Sequence, residues 1–229
     1  MSATDVFGTA LKEYLIGNED AHLTLHNSYG DPEEMPVAVF FREEEDLTDL
    51  EKLALASCKG KTLDVGAGTG AISLIAQNYL DITALEVSAD ACEVAALLGV
   101  QQIVQGDIWS YNDMRYDTLL LLMNGIGIVE KFNRLLPFLS HLRRLLKDGG
   151  QILLDSSDLT YLHPDFSSNP KLGEVSYQYE YDGLKGNWFN WLYVDPNTLR
   201  ETASKVGFTT DILLVNEEDQ FLARLTELD

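Results

Sequence analysis

The chain has 229 residues, 45% of them apolar, which is enough material for one globular domain with a sizeable core. Acidic residues outnumber basic residues by 37 to 16, and the formal net charge of −21 disfavours nucleic acids and anionic membranes as partners. No stretch approaches the roughly 20 apolar residues of a membrane-spanning helix, and the N-terminus lacks the features of a secretion signal. We therefore expect a cytoplasmic protein, with Cys58 and Cys92 as reduced thiols and no metal site.

The first two thirds of the chain alternate between strand and helix. Residues 1–46 carry helix-like pieces and a turn at Gly30 to Pro32, and we expect them to form an N-terminal helical cap. Leucines then recur at helical spacing from Leu47, which opens a predicted core of residues 47–158. The predicted strands of this core are 62–65, 82–87, 103–105, 116–123 and 152–155, and helices follow at 71–79, 89–98 and 137–146. Such alternation predicts a doubly wound, mostly parallel α/β sheet.

The last third changes character. Residues 159–195 are predicted to be an insertion that acts as a lid, with two aromatic strands, 174–182 and 187–195, joined as a β-hairpin. Pro196 begins a helix, and strands 209–215 and 220–225 are joined by so short a link that they must be antiparallel. We therefore expect a single domain, residues 1–229, in which residues 196–229 complete the sheet with a reversed last strand.

The stretch LDVGAGTG, residues 63–70, separates the first predicted core strand from its helix. Glycines destabilise helices and strands, so three of them in five residues indicate a turn that approaches a ligand closely and leaves backbone N–H groups free. Ligands of these sheets bind at the carboxyl ends of the strands. Gly66, Gly68 and Ala71 fit the loose dinucleotide pattern, and Glu86 is placed to bind ribose hydroxyls, so nicotinamide and S-adenosyl cofactors both fit so far.

Three further features separate these two cofactor classes. Asp64 lies inside the strand ahead of the glycines, where a carboxylate can receive an ammonium group, which a pyrophosphate ligand lacks. Asp107, in QGDIW after the third strand, can accept a hydrogen bond from an adenine amino group. The antiparallel strand pair at the end of the chain is not needed by nicotinamide folds. These features favour the S-adenosyl class.

Together these stretches resemble the class I S-adenosylmethionine-dependent methyltransferases. LDVGAGTG is similar to the first motif of that family, ALEVS to the second, GDIW to the adenine loop, YDTLLLLMN to the fourth strand and LLKDGGQILLD to the stretch into the fifth. The resemblance covers residues 47–158, and 196–226 by pattern. It implies S-adenosylmethionine as cofactor and a seven-stranded Rossmann-like sheet with a reversed last strand. It also implies cofactor contacts at the methionine part for Asp64, Gly66, Ala67 and Gly68, at the ribose for Glu86, at the adenine for Val87, Asp107 and Ile108, and beside the substrate space for Asn124.

The methyl acceptor is expected to be a small molecule, methylated on oxygen or nitrogen. Methyltransferases that act on planar nitrogens resemble one another in an Asn or acidic residue followed by two prolines and an aromatic residue. Here Asn124 is followed by Gly125 and Ile126, which argues against those substrates. Two alternatives stay open: a protein that binds the cofactor without turnover, and a nicotinamide oxidoreductase. An oligomer is possible, and no catalytic residue is assigned.

The acceptor pocket should come from segments outside the core sheet. Candidate residues in the N-terminal segment and the insertion are Tyr14, His22, His26, Tyr29, Arg42, Tyr161, His163, Tyr177, Tyr179, Tyr181, Trp188, Phe189 and Trp191. Tyr177, Tyr179 and Tyr181 alternate and therefore share one face of a strand. They could line a cage for a cationic acceptor or simply pack the lid hairpin against the sheet.

Overall fold

A computed structural model describes residues 5–159 and 173–228 of the chain. Its helices are α1 (Val6–Leu15), α2 (Asp49–Ser57), α3 (Ala71–Ala76), α4 (Ala89–Leu98), α5 (Phe132–Leu145) and α6 (Pro196–Lys205). Its strands are β1 (His22–Asn27), β2 (Glu33–Pro36), β3 (Lys61–Val65), β4 (Asp81–Glu86), β5 (Ile103–Gln105), β6 (Tyr116–Leu121), β7 (Leu146–Ser157), β8 (Glu174–Tyr181), β9 (Leu184–Lys185), β10 (Phe189–Leu192), β11 (Phe208–Val215) and β12 (Gln220–Glu227). Short 3-10 turns occupy Val37–Phe40, Glu44–Asp46 and Gly125–Val129.

The central sheet has seven strands in the order β11-β12-β7-β6-β3-β4-β5. The five strands from β7 to β5 are parallel, whereas β12 runs antiparallel to both β7 and β11. This arrangement confirms the predicted doubly wound sheet with a reversed last strand. It also brings the carboxyl ends of β3, β4, β5 and β6 to one edge, where ligands of such sheets bind.

Apolar layers cover both faces of this sheet. On one face, α5 and α6 pack Phe138, Leu142 and Leu199 against the sheet, and on the other face α2 and α3 pack Leu50 and Ile72. Strand β6 lies at the centre, and its residues Leu119, Leu120 and Leu121 are each 0% exposed. A strand covered on both sides needs such a continuous apolar run, which is why the sequence located it well.

A second sheet, ordered β10-β8-β1-β2 with β9 paired to β8, lies outside the central one. The predicted hairpin is present, because Phe189 of β10 pairs with Tyr177 of β8. The N-terminal segment is not the purely helical cap that we expected: α1 is helical, but β1 and β2 are strands of this second sheet. Strand β1 pairs locally with β2 across the predicted turn at Gly30 to Pro32, and it also pairs with β8, which lies far along the chain and could not be identified from a local pattern.

Two element boundaries also differ from the sequence prediction. Helix α5 begins at Phe132 rather than Pro137, which lies inside the helix. Strand β7 begins at Leu146 rather than Ile152, and its pairing with β6 shifts register between Tyr116 and Thr118. Gly149 and Gly150 lie within this irregularly paired part of β7, although glycines weaken strands and more often mark their ends.

Candidate functional site

The glycine-rich loop joins β3 to α3 at the carboxyl edge of the sheet. Gly66, Gly68 and Gly70 have φ values of +72°, +58° and +74°, a backbone conformation that other residues rarely adopt. A Cβ atom on Gly66 would lie 2.8 Å from Ile128 Cδ1, and one on Gly70 would lie 2.7 Å from Val100 Cγ2. A Cβ atom on Gly68 would meet only Phe7, at 4.0 Å. Gly66 and Gly70 therefore serve close packing as well as the turn, whereas Gly68 faces open space.

The backbone N–H groups of this loop are engaged within the protein. Gly66 and Ala67 donate to the carbonyl of Leu85, at 2.9 and 3.1 Å. Gly68 donates to Glu86 Oε2 at 2.8 Å, and Gly70 donates to the carbonyl of Ala67 at 2.8 Å. These four N–H groups are therefore not free to bind a ligand. What the loop offers a ligand is close access to its backbone.

Glu86, the last residue of β4, connects the glycine loop to α4. Its side chain accepts hydrogen bonds from the N–H groups of Gly68 and Ser88, both at 2.8 Å. The residue is only 8% exposed, and this burial raises the pKa of its carboxyl group, although the backbone donors act in the opposite direction. Each carboxylate oxygen has a second lone pair available, so two further donors can bind there.

Asp64 is a second buried carboxylate, in β3 beside the glycine loop. It is 4% exposed, and its Oδ2 accepts a hydrogen bond from Ser73 Oγ of α3 at 2.8 Å. Burial, and to a smaller extent the charge of Glu86, raise the pKa of Asp64 to about 6, although the hydrogen bond from Ser73 acts in the opposite direction. Within the described ranges, neither acid has a cation among the groups that shift its pKa. A positively charged ligand at this edge would therefore stabilise both carboxylates in their ionised form.

The residues expected to hold the adenine lie at the ends of β4 and β5. Val87 is 67% exposed, and Asp107 is also exposed, with its Oδ1 accepting a hydrogen bond from the N–H of Trp109. The side chain of Ile108 is buried in the core, and its carbonyl is hydrogen-bonded to His141 Nε2 at 2.7 Å. His141 was missed by the sequence analysis, because one histidine on the apolar face of α5 gives no sign of a partner in a distant loop.

Asn124, which follows β6, is half-buried and lies at a strained turn. Its φ is +55° and that of Met123 is +60°, so two consecutive non-glycine residues are left-handed. Asn124 Oδ1 accepts from Ser157 Oγ at 2.8 Å, and its carbonyl accepts from Trp191 Nε1 at 3.1 Å. The turn is thereby fixed to both β7 and the hairpin.

Asp155 of β7 also supports this turn, and the sequence analysis did not identify it as a site residue. It is 2% exposed and accepts hydrogen bonds from the backbone N–H of Gly125 at 3.3 Å and from Gln220 Nε2 at 3.1 Å. Burial raises the pKa of Asp155 to about 7. An acid within or at the end of an apolar strand, as in ILLD here and LDV at Asp64, was the available signal.

The second sheet covers the carboxyl edge with aromatic side chains. Trp191 reaches Asn124 and lies so close to Gly127 that a Cβ atom there would be 2.0 Å from Trp191 Nε1. Phe7 of α1 stacks on Tyr179 with 5.7 Å between ring centroids, and it is the nearest side chain to Gly68. The hydroxyl of Thr69 in the glycine loop donates to the carbonyl of Phe40. The N-terminal segment and the hairpin are thus both joined to the loops that end β3 and β6.

The structure brings together only some of the candidate acceptor residues. Tyr177, Tyr179, Phe189 and Trp191 belong to one cluster, together with Tyr193, which the sequence analysis did not select. The others lie elsewhere: Tyr14 packs on Phe41, His22 is exposed, His26 pairs with Glu180 at 2.6 Å, Tyr181 is hydrogen-bonded to Asn18, and Trp188 is 54% exposed. Tyr161 and His163 fall outside the described residues.

Arg42 lies near the glycine loop, two residues after Phe40. Its Nη1 forms an ion pair with Glu51 Oε1 at 2.6 Å, and Glu51 is 3% exposed. Its Nε is buried without a hydrogen-bond partner. A buried N–H donor without a partner is unfavourable, so the ion pair with Glu51 satisfies this guanidinium only in part.

No group of three or more His, Cys, Asp or Glu side chains within residues 5–159 and 173–228 is placed to hold a metal ion. None of the helices in these ranges has the length and hydrophobicity needed to cross a bilayer.

Comparisons with known proteins agree with this geometry. A family model described as a methyltransferase domain matches residues 63–154. The crystal structure of an S-adenosylmethionine-dependent methyltransferase from Bacteroides fragilis, in complex with S-adenosylhomocysteine, is 34% identical with a TM-score of 0.92, covering 98% of this chain and 95% of that one. No curated protein sequence matches the chain.

More distant structures show the fold alone. A sugar N-methyltransferase from Streptoalloteichus is 16% identical with a TM-score of 0.61, covering 88% of this chain and 96% of that one. The CcbJ methyltransferase from Streptomyces caelestis is 12% identical with a TM-score of 0.63, covering 78% of this chain and 94% of that one.

Proposed function

Because this chain belongs to the class I S-adenosylmethionine-dependent methyltransferases, we propose that it methylates an oxygen or nitrogen atom of a small-molecule acceptor. S-adenosylmethionine is its cofactor, and it supplies an electrophilic methyl group on a sulfonium sulfur. The observation that carries the acceptor class is the aromatic cover over the ends of β3 and β6. An acceptor that reaches the glycine loop would lie beneath this cover, which suits a small molecule rather than a polymer, and the net charge of −21 disfavours nucleic acid.

The methionine end of the cofactor is assigned to the buried charge beside the glycine loop. Asp64 would receive the ammonium group, which would remove the unfavourable burial of an unpaired carboxylate. Gly66, Ala67 and Gly68 would let the backbone approach the ligand, because these residues carry no side-chain atom beyond Cβ.

The ribose and adenine are assigned to the next two strand ends. Glu86 would accept hydrogen bonds from both ribose hydroxyls with its remaining lone pairs. Val87 would pack on the adenine ring, and Asp107 would accept from its amino group beside the backbone of Ile108. Asn124 would border the methionine part and the acceptor, held in place by Ser157 and Trp191.

The protein contributes mainly alignment and exclusion of water. Methyl transfer is an in-line displacement, so the acceptor atom must face the methyl group, and an oriented pair gains rate from proximity alone. Trp191 fixes the position of Asn124 by a hydrogen bond, and the ring of Phe7 lies beside Gly68. These two contacts hold the aromatic cover in place relative to the glycine loop. Removing water around the reacting atoms strengthens the interactions that place them. No general base is assigned, and a cytoplasmic location stays a prediction from the sequence.

The experiment is an acceptor screen that detects S-adenosylhomocysteine, the common product, by mass spectrometry. Purified protein with S-adenosylmethionine is incubated with pools of small amines, alcohols, phenols and carboxylic acids, with Glu86→Ala as the control variant. We expect product from at least one pool with the wild type and far less with the variant. Binding of the cofactor without product from any pool, while a nucleic acid or protein substrate is methylated, would contradict the small-molecule class.

A further inference from the structure

The aromatic face of the second sheet is built from Tyr177, Tyr179, Phe189 and Trp191. Tyr177 is 7% exposed and the other three are half-buried. Phe189 is the hub of the group, with ring centroids 5.1 Å from Tyr179, 6.1 Å from Tyr177 and 6.4 Å from Trp191. Because these residues alternate along β8 and β10, all four project from the same side of the sheet. Trp191 connects this side of the sheet to Asn124 by a hydrogen bond. Tyr179 stacks on Phe7, which in turn lies beside Gly68.

Polar groups continue the aromatic face at its outer end. The hydroxyl of Tyr177 is hydrogen-bonded to that of Tyr193 at 3.1 Å, and the ring of Tyr29 packs edge-on against Tyr177 with 6.2 Å between centroids. The hydroxyl of Tyr29 donates to Glu33 Oε1 at 2.7 Å, and Asn27 Nδ2 donates to the same oxygen at 3.2 Å. A carboxylate is therefore held in place beside the tyrosine group.

Carboxylates act on this face from both ends. Glu33 raises the pKa values of Tyr29, Tyr177 and Tyr193, and Glu86 raises that of Tyr179, in each case behind the larger effect of burial. The tyrosines therefore stay neutral at physiological pH, with their ring faces and hydroxyl oxygens as electron-rich groups. Neutral rings between two acids form an environment of negative potential, which attracts a cation and repels an anion.

We infer that the acceptor carries an ammonium group, apart from the atom that is methylated, and that the aromatic face and Glu33 together recognise its charge. A charged nitrogen has no lone pair, so the ammonium group only positions the acceptor. A separate neutral oxygen or nitrogen attacks the methyl group and releases its proton to solvent, and the cofactor leaves as S-adenosylhomocysteine. This inference rests on the proposed function, since it names the acceptor class of the same site. The half-buried rings of Tyr179, Phe189 and Trp191 receive the ammonium group by cation–π attraction, and Glu33 supplies the formal charge. Carboxylic acids and phosphate esters are disfavoured as acceptors for the same reason.

The test uses two probes of the same shape and different charge. Choline carries a quaternary ammonium group, and 3,3-dimethylbutan-1-ol replaces its nitrogen with carbon and has no charge. Each is titrated by calorimetry into protein saturated with S-adenosylhomocysteine. Because an aromatic site discriminates by about 1–2 kcal/mol in favour of a cation, we expect choline to bind about ten-fold more tightly than the neutral alcohol.

Two matched variants locate the charge. Glu33→Gln removes a carboxylate from the aromatic side of β2, whereas Glu34→Gln removes the neighbouring one, which is hydrogen-bonded to Thr24 on the opposite side. Glu33 is exposed, so its effect is screened, and we expect Glu33→Gln to weaken choline binding about three-fold or more. Glu34→Gln should leave choline binding unchanged, and neither variant should change binding of the alcohol.

The outcomes separate this inference from the proposed function. Equal affinity for the two probes, equal effects of the two glutamine variants, or no binding of choline while S-adenosylhomocysteine still binds would each overturn the ammonium class and leave the methyltransferase assignment intact. Failure of S-adenosylhomocysteine to bind the wild type would instead contradict the cofactor site itself.

Discussion

Replacing Asp64 by Asn should make the cofactor-free protein more stable and its binding of S-adenosylhomocysteine weaker. Asp64 is 4% exposed, and its pKa is raised from 3.8 to about 6 because burial disfavours the charged form. Each unit of pKa corresponds to about 1.4 kcal/mol, so ionised Asp64 destabilises the folded protein by up to about 3 kcal/mol. Asparagine removes the charge while its amide oxygen still accepts from Ser73.

The gain in stability from Asp64→Asn depends on pH. A carboxyl group whose folded pKa is raised destabilises the protein only when ionised, so the penalty is absent below the unfolded value, grows as the pH rises to about 6, and is complete above it. Asp64→Asn and wild type should therefore melt at similar temperatures at pH 4. At pH 7.5 the variant should melt higher, by about 2–4 °C for each kcal/mol gained.

Cofactor affinity should move in the opposite direction. The ammonium group of S-adenosylhomocysteine loses a charged partner in the variant, which corresponds to about a ten-fold or larger increase in the dissociation constant. Asp81→Asn makes the same chemical change at an exposed position on the opposite edge of the sheet and should alter neither property at pH 7.5. An Asp64→Asn variant that binds S-adenosylhomocysteine as tightly as the wild type would refute the ammonium assignment.

Three further changes test other parts of the site. Gly127→Ala places a Cβ atom against Trp191 and should lower the free energy of unfolding by about 1–3 kcal/mol in urea, whereas Gly30→Ala, with no atom nearer than 3.9 Å, should not; equal effects would contradict the packing. Glu86→Ala should weaken S-adenosylhomocysteine binding at least about ten-fold in calorimetry, since each hydrogen bond to a charged group contributes about 1.5–3 kcal/mol; an unchanged dissociation constant would exclude the ribose assignment. Burial raises the pKa of Asp155 to about 7, so its ionisation should lower the stability of the cofactor-free protein as the pH rises from 5 to 8. Asp155→Asn should reduce that loss in urea titrations. Parallel pH profiles of stability for variant and wild type would contradict this role of Asp155.

The features that the sequence predicted well are local. A few neighbouring residues encode each of these features: the glycine loop, the acids in β3 and at the end of β4, and the apolar strand β6. The doubly wound sheet follows from the alternation of strands and helices. The N–H groups of Gly66, Ala67 and Gly68 are engaged by Leu85 and Glu86, which lie on the adjacent strand. Spatial neighbours on another strand cannot be read from the loop itself.

The features that the sequence did not predict depend on contacts between distant segments. Strand β1 pairs with β2 as well as with β8, and its residues HLTLH alternate between polar and apolar side chains, which was an available local signal for a strand. Its pairing with β8, which lies far along the chain, could not be predicted locally. Glu33 acquires a role through Tyr29 and Tyr177, which come from different segments. The support of Asn124 by Asp155 and Trp191 likewise needs the register of three elements.

Calorimetric titration of S-adenosylhomocysteine into the wild type and the Glu86→Ala and Asp81→Asn variants, with NADH as the comparison ligand, tests the central claim most directly. The structure predicts saturable binding with one site per chain for the wild type and Asp81→Asn, binding at least about ten-fold weaker for Glu86→Ala, and no heat with NADH. Absence of binding by the wild type, or the same affinity in all three proteins, would contradict the assignment of the carboxyl edge as the cofactor site.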